Sequence, residues 1–431
     1  MKISLDKSNK KIDIGLIIYM FIFLFEPPFI PKIRGLIYLS LYSFFVFLCR
    51  YKASYKKVWK QSGMATWLCE LMIFFIYALC TICINAAVIG DTVQLGHYVH
   101  TFGRYFILIV SIFFCSTYVI LECDRKGYTT EQLIKIVLEA GVIQGVCVVL
   151  ALLFPNVKKI FSSIMLLSGN DIAEIYSYRG FGFSRNMVDG FGLGTGVIAG
   201  LACILGKRDK KYFLLSVFLL VVPLLNSRTG LVIYLVALLF TFIGIILECD
   251  ILQIIKVFIG AFVCVVLAGE FYQFLSVFKP EVVQWVENGM QGFFLVLQGQ
   301  EAQSGSMSVL MQDSWWKLPD GIQLFIGSGH TRYEAEGYNH TDVGYVNDLW
   351  FVGIVGMVLL YGSIAHLFYK ALKNAKRDRL ILVFLMVSFI VFNIKTCAIS
   401  YYPGTAVIFT IIFWSIYRET KKKMMLEKMQ S

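Results

Sequence analysis

The chain has 431 residues, 58% hydrophobic, 16% aromatic and only 16% charged, and its mean hydropathy is +0.71. A water-soluble chain carries roughly a quarter charged residues, so this one lacks the polar surface to cover itself in water and reads as an integral membrane protein. Continuous apolar runs exclude a strand-built barrel, whose segments are about ten residues of alternating polarity. The net charge of +11 implies no nucleic-acid partner, because the basic residues cluster between apolar runs, as topology signals do.

In chain order, MKISLDKSNKKID is followed by an apolar run from Ile14. It has the charge of a signal peptide but no small-residue cleavage site, so the first helix is expected to be retained. Apolar runs then fall at 14–30, 33–49, 65–88, 102–121, 134–154, 190–206, 212–226, 229–247, 253–269, 348–369, 380–398 and 404–417. Each is near the length of about 20 residues that crosses a bilayer, which predicts an all-α polytopic protein of about 12 transmembrane helices. The whole of 1–431 reads as a single membrane-embedded domain, and the runs from 190, 212 and 404 are short for a span, which leaves a re-entrant segment there as the alternative.

With the amino terminus on the cytoplasmic side, 27 of the 39 Lys and Arg fall in the tails and in the loops 50–64, 122–135, 207–211, 248–256 and 370–379. This bias predicts that both termini are cytoplasmic. The eleven cysteines all sit in proposed spans or at their cytoplasmic borders, which excludes a disulfide-stapled outer domain. Cys80 and Cys83 form a lone CxxC inside the third run and read as small hydrophobes. Two outer loops remain large, one of medium length at 155–189 and a longer one at 270–347, which also holds an amphipathic stretch, 281–297, suited either to resting on the membrane interface or to covering a site as a lid.

The chemistry-bearing residues concentrate on the predicted outer side. Arg228 lies in NSRTG between two apolar runs, where a guanidinium costs about 3 kcal/mol or more unless it faces a polar cavity, with interfacial snorkelling as the competing reading. Arg179 and Arg185 flank glycines in SYRGFGFSRNMVDGFG; paired guanidinium forks suit a phosphate oxyanion, though lipid headgroups would also satisfy them. The end of the long loop, LFIGSGHTRYEAEGYNHTDVGYVNDLWFVGIVG, brings His330, Arg332, Glu334, Glu336, His340, Asp342 and Asp348 into one stretch. His340 and Asp342, two residues apart, form a candidate general-base pair, while His330 and Glu336 read more as solvated loop residues. Trp315, Trp316, Tyr333 and Tyr338 offer aromatic faces for sugars. Glu70, Glu139 and Lys395 fall in or near spans without assignable partners, and His97 with His100 reads as interfacial. The patterns GxxxxGK[ST], HExxH and GxSxG do not occur.

Three of these segments together resemble the bacterial O-antigen polymerase (Wzy) and O-antigen ligase superfamily. YRGFGFSRN before a Gly-rich span looks like the family's Arg-Gly segment. NSRTG looks like its Ser-Arg-Gly-type turn, and LFIGSGH followed by HTDVGY and GIVG looks like the end of its large periplasmic loop.

The resemblance implies a GT-C-like glycosyltransferase of the bacterial inner membrane. It would have a large periplasmic loop between helices 9 and 10, use no cofactor or metal, and take an undecaprenyl-diphosphate-linked glycan as donor and acceptor. Membrane lipid and a chain-length regulator are its candidate partners. It implies that Arg179, Arg185, Arg228 and Arg332 bind diphosphate, that Arg228 also acts in catalysis, and that His340 lies near the ligase histidine. The ligase pattern has Asn after that histidine, whereas Thr341 stands here, which favours polymerase over ligase. A lipid-linked oligosaccharide flippase or transporter is the alternative from another class, although transporters usually keep ionisable groups at the membrane midplane.

Overall fold

The structure is a computed structural model. It describes residues 13–27, 35–89, 95–164, 180–184, 188–226, 228–246, 312–332, 341–397, 399 and 404–430, with isolated positions between 255 and 298. The described residues are all-helical and contain no strand. A helix occupies each predicted apolar run except 253–269, of which only isolated positions are described.

The helices are α1 (Ile14–Phe25), α2 (Gly35–Val46), α3 (Lys52–Ser62), α4 (Met64–Ile89), α5 (Leu95–Arg125), α6 (Thr130–Leu153), α7 (Pro155–Ile164), α8 (Val188–Gly206), α9 (Lys210–Asn226), α10 (Arg228–Ile246), α11 (Gly344–Asn374), α12 (Arg379–Lys395) and α13 (Gly404–Gln430). Local signals set several boundaries. Asp13 caps α1 by accepting from the Gly15 amide at 2.6 Å. Thr129 and Gln132 form a reciprocal capping box at the start of α6, satisfying two otherwise orphaned amides. Gly63, at φ +78, ends α3 where the chain turns into α4.

Five described helices are long and apolar enough to cross a membrane: Met64–Ala87, Leu95–Arg125, Thr130–Leu153, Thr229–Ile246 and Gly344–Asn374. A sixth is added if α2 and α3, bent by 114° at a π-turn, count as one span, and Ile14–Phe25 and Gly190–Gly206 are shorter apolar helices. The outward faces agree with a lipid environment: on α4, Met72, Ile73, Ile76, Leu79 and Ile84 are all exposed, a contiguous apolar strip that water would penalise. The basic stretch RYKASYKKVWK, predicted as a cytoplasmic loop, contains a helix of its own, α3, which buries Tyr55 and Val58.

α13 lies at the centre. Every residue from Gly404 to Tyr417 is buried, and the helix touches α1, α3, α5, α6, α8, α11 and α12. An apolar helix without a polar face has this fate, because every side is covered by protein. α8 and α10 approach backbone to backbone: a Cβ on Gly230 would lie 2.2 Å from the Gly192 carbonyl oxygen, and one on Gly196 would lie 2.5 Å from that of Gly230.

Charge separates the two ends of the bundle. At one end the Asp13 amide meets the Tyr128 hydroxyl at 3.2 Å, Tyr417 donates to Asp124 at 2.9 Å, Thr130 donates to Asp378 at 2.9 Å, and Lys423 donates to Asn374 at 3.2 Å. Lys126 pairs there with Asp13 and Lys421 with Asp124. These residues come from the segments that the Lys and Arg bias predicts to be cytoplasmic. The opposite end carries the described parts of the segments singled out for chemistry, among them 328–332 and Asp342 with Lys395.

Candidate functional site

The segment LFIGSGHTR is inserted between α4 and α11. It enters at a break in α11, where Gly353 has φ 63° and ψ −174° inside an otherwise helical run, a conformation essentially restricted to glycine. The break leaves carbonyls without helical partners, and the inserted segment supplies them: the Ser328 amide donates to Trp350 O at 2.7 Å and the Gly329 amide to Phe351 O at 3.0 Å. Ser328 Oγ adds a third bond to Trp350 O at 2.8 Å. On the other side, α4 donates to the segment's own carbonyls, Thr81 Oγ1 to Ile326 O at 3.0 Å and Asn85 Nδ2 to Gly327 O at 3.1 Å. Irregular backbone at membrane depth persists only when buried in protein with its polar groups paired, and that condition is met here.

His330, read from the sequence as a solvated loop residue, is only 6% exposed. Its ring stacks on Tyr98 with centroids 5.7 Å apart, and Nδ1 lies 3.3 Å from Thr331 O. Burial follows from the insertion of the segment, which carries the histidine under α5. Arg332 is 3% exposed, and its Nη1 donates to the Ser314 carbonyl. Trp350 Nε1 donates to Lys317 O at 3.0 Å, so the stretch 312–318 is strapped across this end of the bundle.

Asp342 precedes α11 in a turn fixed by its neighbours. The Asn347 amide group donates to Thr341 O at 2.7 Å and to Val343 O at 3.1 Å, and the Val343 amide donates to Thr341 Oγ1 at 3.2 Å. The Asp342 carboxylate faces Lys395 Nζ at 3.5 Å, with side chains 29% and 9% exposed. Lys395 ends α12, where the helix carbonyls favour a cation, and its Nζ lies 5.5 Å from the centre of the Trp315 ring. The sequence left Lys395 without a partner; a lone lysine closing an apolar run was its only signal.

Asp348 is fully buried. Its carboxylate accepts from the Tyr105 and Tyr361 hydroxyls and from Cys397 Sγ at 3.1 Å, while Tyr361 also reaches Asn393 at 3.2 Å. These bonds tie α5, α11 and the chain after α12 together, a positioning role the sequence did not reveal. Glu70, also unpartnered from sequence, pairs with His366 Nδ1 at 2.6 Å between α4 and α11. Glu139 and the Cys80–Cys83 pair are exposed on their helices. Among the described residues no three His, Cys, Asp or Glu side chains gather closely enough to hold a metal ion.

The remaining predicted residues are placed less fully. Arg228 opens α10; its side chain, and the whole of Arg179, Arg185, Glu334, Glu336 and His340, lie outside the described residues, as does most of 281–297. Chain neighbours of Arg228, Arg179 and Arg185 are among the described residues. Beside Arg228, Asn226 is buried, and its Oδ1 finds no hydrogen-bond partner among the described residues. Val283 of the long loop packs on Leu225 next to it. Between Arg179 and Arg185, residues Gly180–Ser184 lie against α6, with Gln144 Nε2 donating to Phe181 O. The glycines make this seat fit: a Cβ on Gly180 would lie 2.9 Å from Leu152 Cγ, and one on Gly182, at φ +55, 2.9 Å from Cys147 Cβ.

The class of protein so defined is a helical membrane protein with an inserted, hydrogen-bonded segment and an acid, base and aromatic cluster at one end. No protein-family model matches the chain, and no curated protein matches it.

Proposed function

We propose that the chain polymerises undecaprenyl-diphosphate-linked oligosaccharide repeat units into a surface polysaccharide (O-antigen, capsule or exopolysaccharide), as a twelve-span GT-C-like glycosyltransferase. It would act on the periplasmic face of the bacterial inner membrane, with both termini cytoplasmic. The observation that carries this reading is the gathering of Asp342, Lys395, Arg332 and Trp315 at the bundle end opposite the basic loops. A transporter would keep such groups at the midplane between two repeats.

Cleaving a sugar-to-diphosphate bond leaves negative charge on the departing phosphate, and fixed cations near that oxygen stabilise the transition state more than the ground state. Arg179, Arg185, Arg228 and Arg332 take that role. His340 or Asp342 accepts the proton of the attacking sugar hydroxyl, and direct displacement inverts the anomeric centre.

Deleting the gene and resolving the surface glycan on a gel tests the reading. The expected result is a ladder that collapses to a single repeat unit. Long lipid-linked polymer that fails to reach lipid A would make the chain a ligase, and repeat units trapped on the cytoplasmic face would make it a flippase.

A further inference from the structure

Lys395 is 7% exposed and sits at the end of an apolar helix, where an ammonium is costly unless anions or dipoles surround it. The groups that face it include the Asp342 carboxylate at 3.5 Å and the Trp315 ring at 5.5 Å, and its place in the last turn of α12 adds the favourable end of the helix dipole. The ion pair is loose. At 3.5 Å it is longer than the roughly 2.7–2.9 Å of a charge-assisted hydrogen bond, and the carboxylate side is 29% exposed. A carboxylate next to an ammonium is a poor base, because the positive charge opposes its protonation. If Asp342 is to take a proton, this pairing must first be relaxed.

We propose that Lys395 is a substrate-binding cation that exchanges Asp342 for the diphosphate of the incoming sugar donor, and that this exchange releases Asp342 to act as the base. The proposal rests on the glycosyl-transfer reading and narrows it. A diphosphate carries more charge than one carboxylate and can lie against the ammonium while the attached sugar faces Trp315. In the reaction the acceptor hydroxyl passes its proton to Asp342 while its oxygen bonds to the anomeric carbon. The bond from that carbon to the diphosphate oxygen breaks, and the electron pair stays on the diphosphate beside Lys395. Catalytic competence therefore depends on the donor being bound, which guards against proton transfer in an empty site.

The test is binding of farnesyl diphosphate to the detergent-purified full chain, measured by calorimetry, with each variant checked for a monodisperse, cooperatively melting state. Lys395→Ala is expected to weaken binding threefold or more. Asp342→Asn should bind at least as tightly as the native protein, because the competing counter-ion has lost its charge. Native protein that fails to bind, Lys395→Ala within threefold of native, or Asp342→Asn weakened threefold or more would each overturn the proposal. If Lys395→Ala does not fold, the Asp342→Asn result decides alone. The assay needs no polymerisation. Lys395-dependent binding with an unchanged ladder in the deletion strain would sustain the site and remove the polymerase reading, and the converse pair of results would do the reverse.

Discussion

Gly353→Ala tests the insertion of LFIGSGHTR into α11 directly. The added Cβ would lie 2.3 Å from Phe325 O and 2.5 Å from the Gly327 amide nitrogen. Those are backbone atoms, so no side-chain rotation relieves the overlap. The residue also sits at φ 63° and ψ −174°, where a non-glycine residue costs about 1–3 kcal/mol. Backing the segment away loses the bonds from the Ser328 amide, the Gly329 amide and Ser328 Oγ, each worth about 0.5–1.5 kcal/mol net. Together these give a destabilisation of about 2.5–7.5 kcal/mol. Gly362 on the same helix is the control: nothing lies within 4 Å of its added Cβ, so Gly362→Ala should stabilise by about 0.5–1 kcal/mol through helix propensity. Unfolding by SDS titration in mixed micelles measures both. Equal midpoints for native protein, Gly353→Ala and Gly362→Ala would show that the segment is not wedged into a broken helix.

Three further expectations follow from other parts of the molecule. Asp348→Ala strands two tyrosine hydroxyls and a thiol in a buried site and should cost about 2–5 kcal/mol in the same assay; Asp348→Asn, which keeps one acceptor oxygen, should fall between it and the native protein. Arg228→Ala should abolish the polymer ladder while expression persists, and Arg228→Lys should be severely impaired because a point ammonium cannot replace a bidentate fork; normal ladders from Arg228→Ala would return this residue to an interfacial role. Cysteines at Ser304 and Asp320 in a cysteine-free background should react with an impermeant maleimide once the outer membrane is permeabilised, and labelling only after inner-membrane lysis would invert the topology.

The helices were legible in the sequence because the cost of exposing an apolar run, or of ending a helix in hydrocarbon, is local. The apolar run 65–88 became Met64–Ile89, and 212–226 became Lys210–Asn226. The glycines of YRGFGFSRN stood out in the sequence beside two arginines, as suits an oxyanion, but that Gly180 and Gly182 make room for α6 was visible only in the fold. What the sequence could not supply is which distant groups meet. Hydropathy runs straight through residues 348–369 and gives no sign that the helix breaks at Gly353, because the donors that make the break tolerable come from residues 328 and 329. Lys395 and Asp342 carry no shared periodicity, and their pairing exists only because α11 and α12 pack side by side. Asp348 looked like one more polar residue at a loop's end until α5 and the chain after α12 brought Tyr105 and Cys397 to it. Apolar length and glycine placement act on the chain within a few residues, whereas buried charges and broken backbone are stabilised by partners from elsewhere in the fold, so only the tertiary structure could assign them.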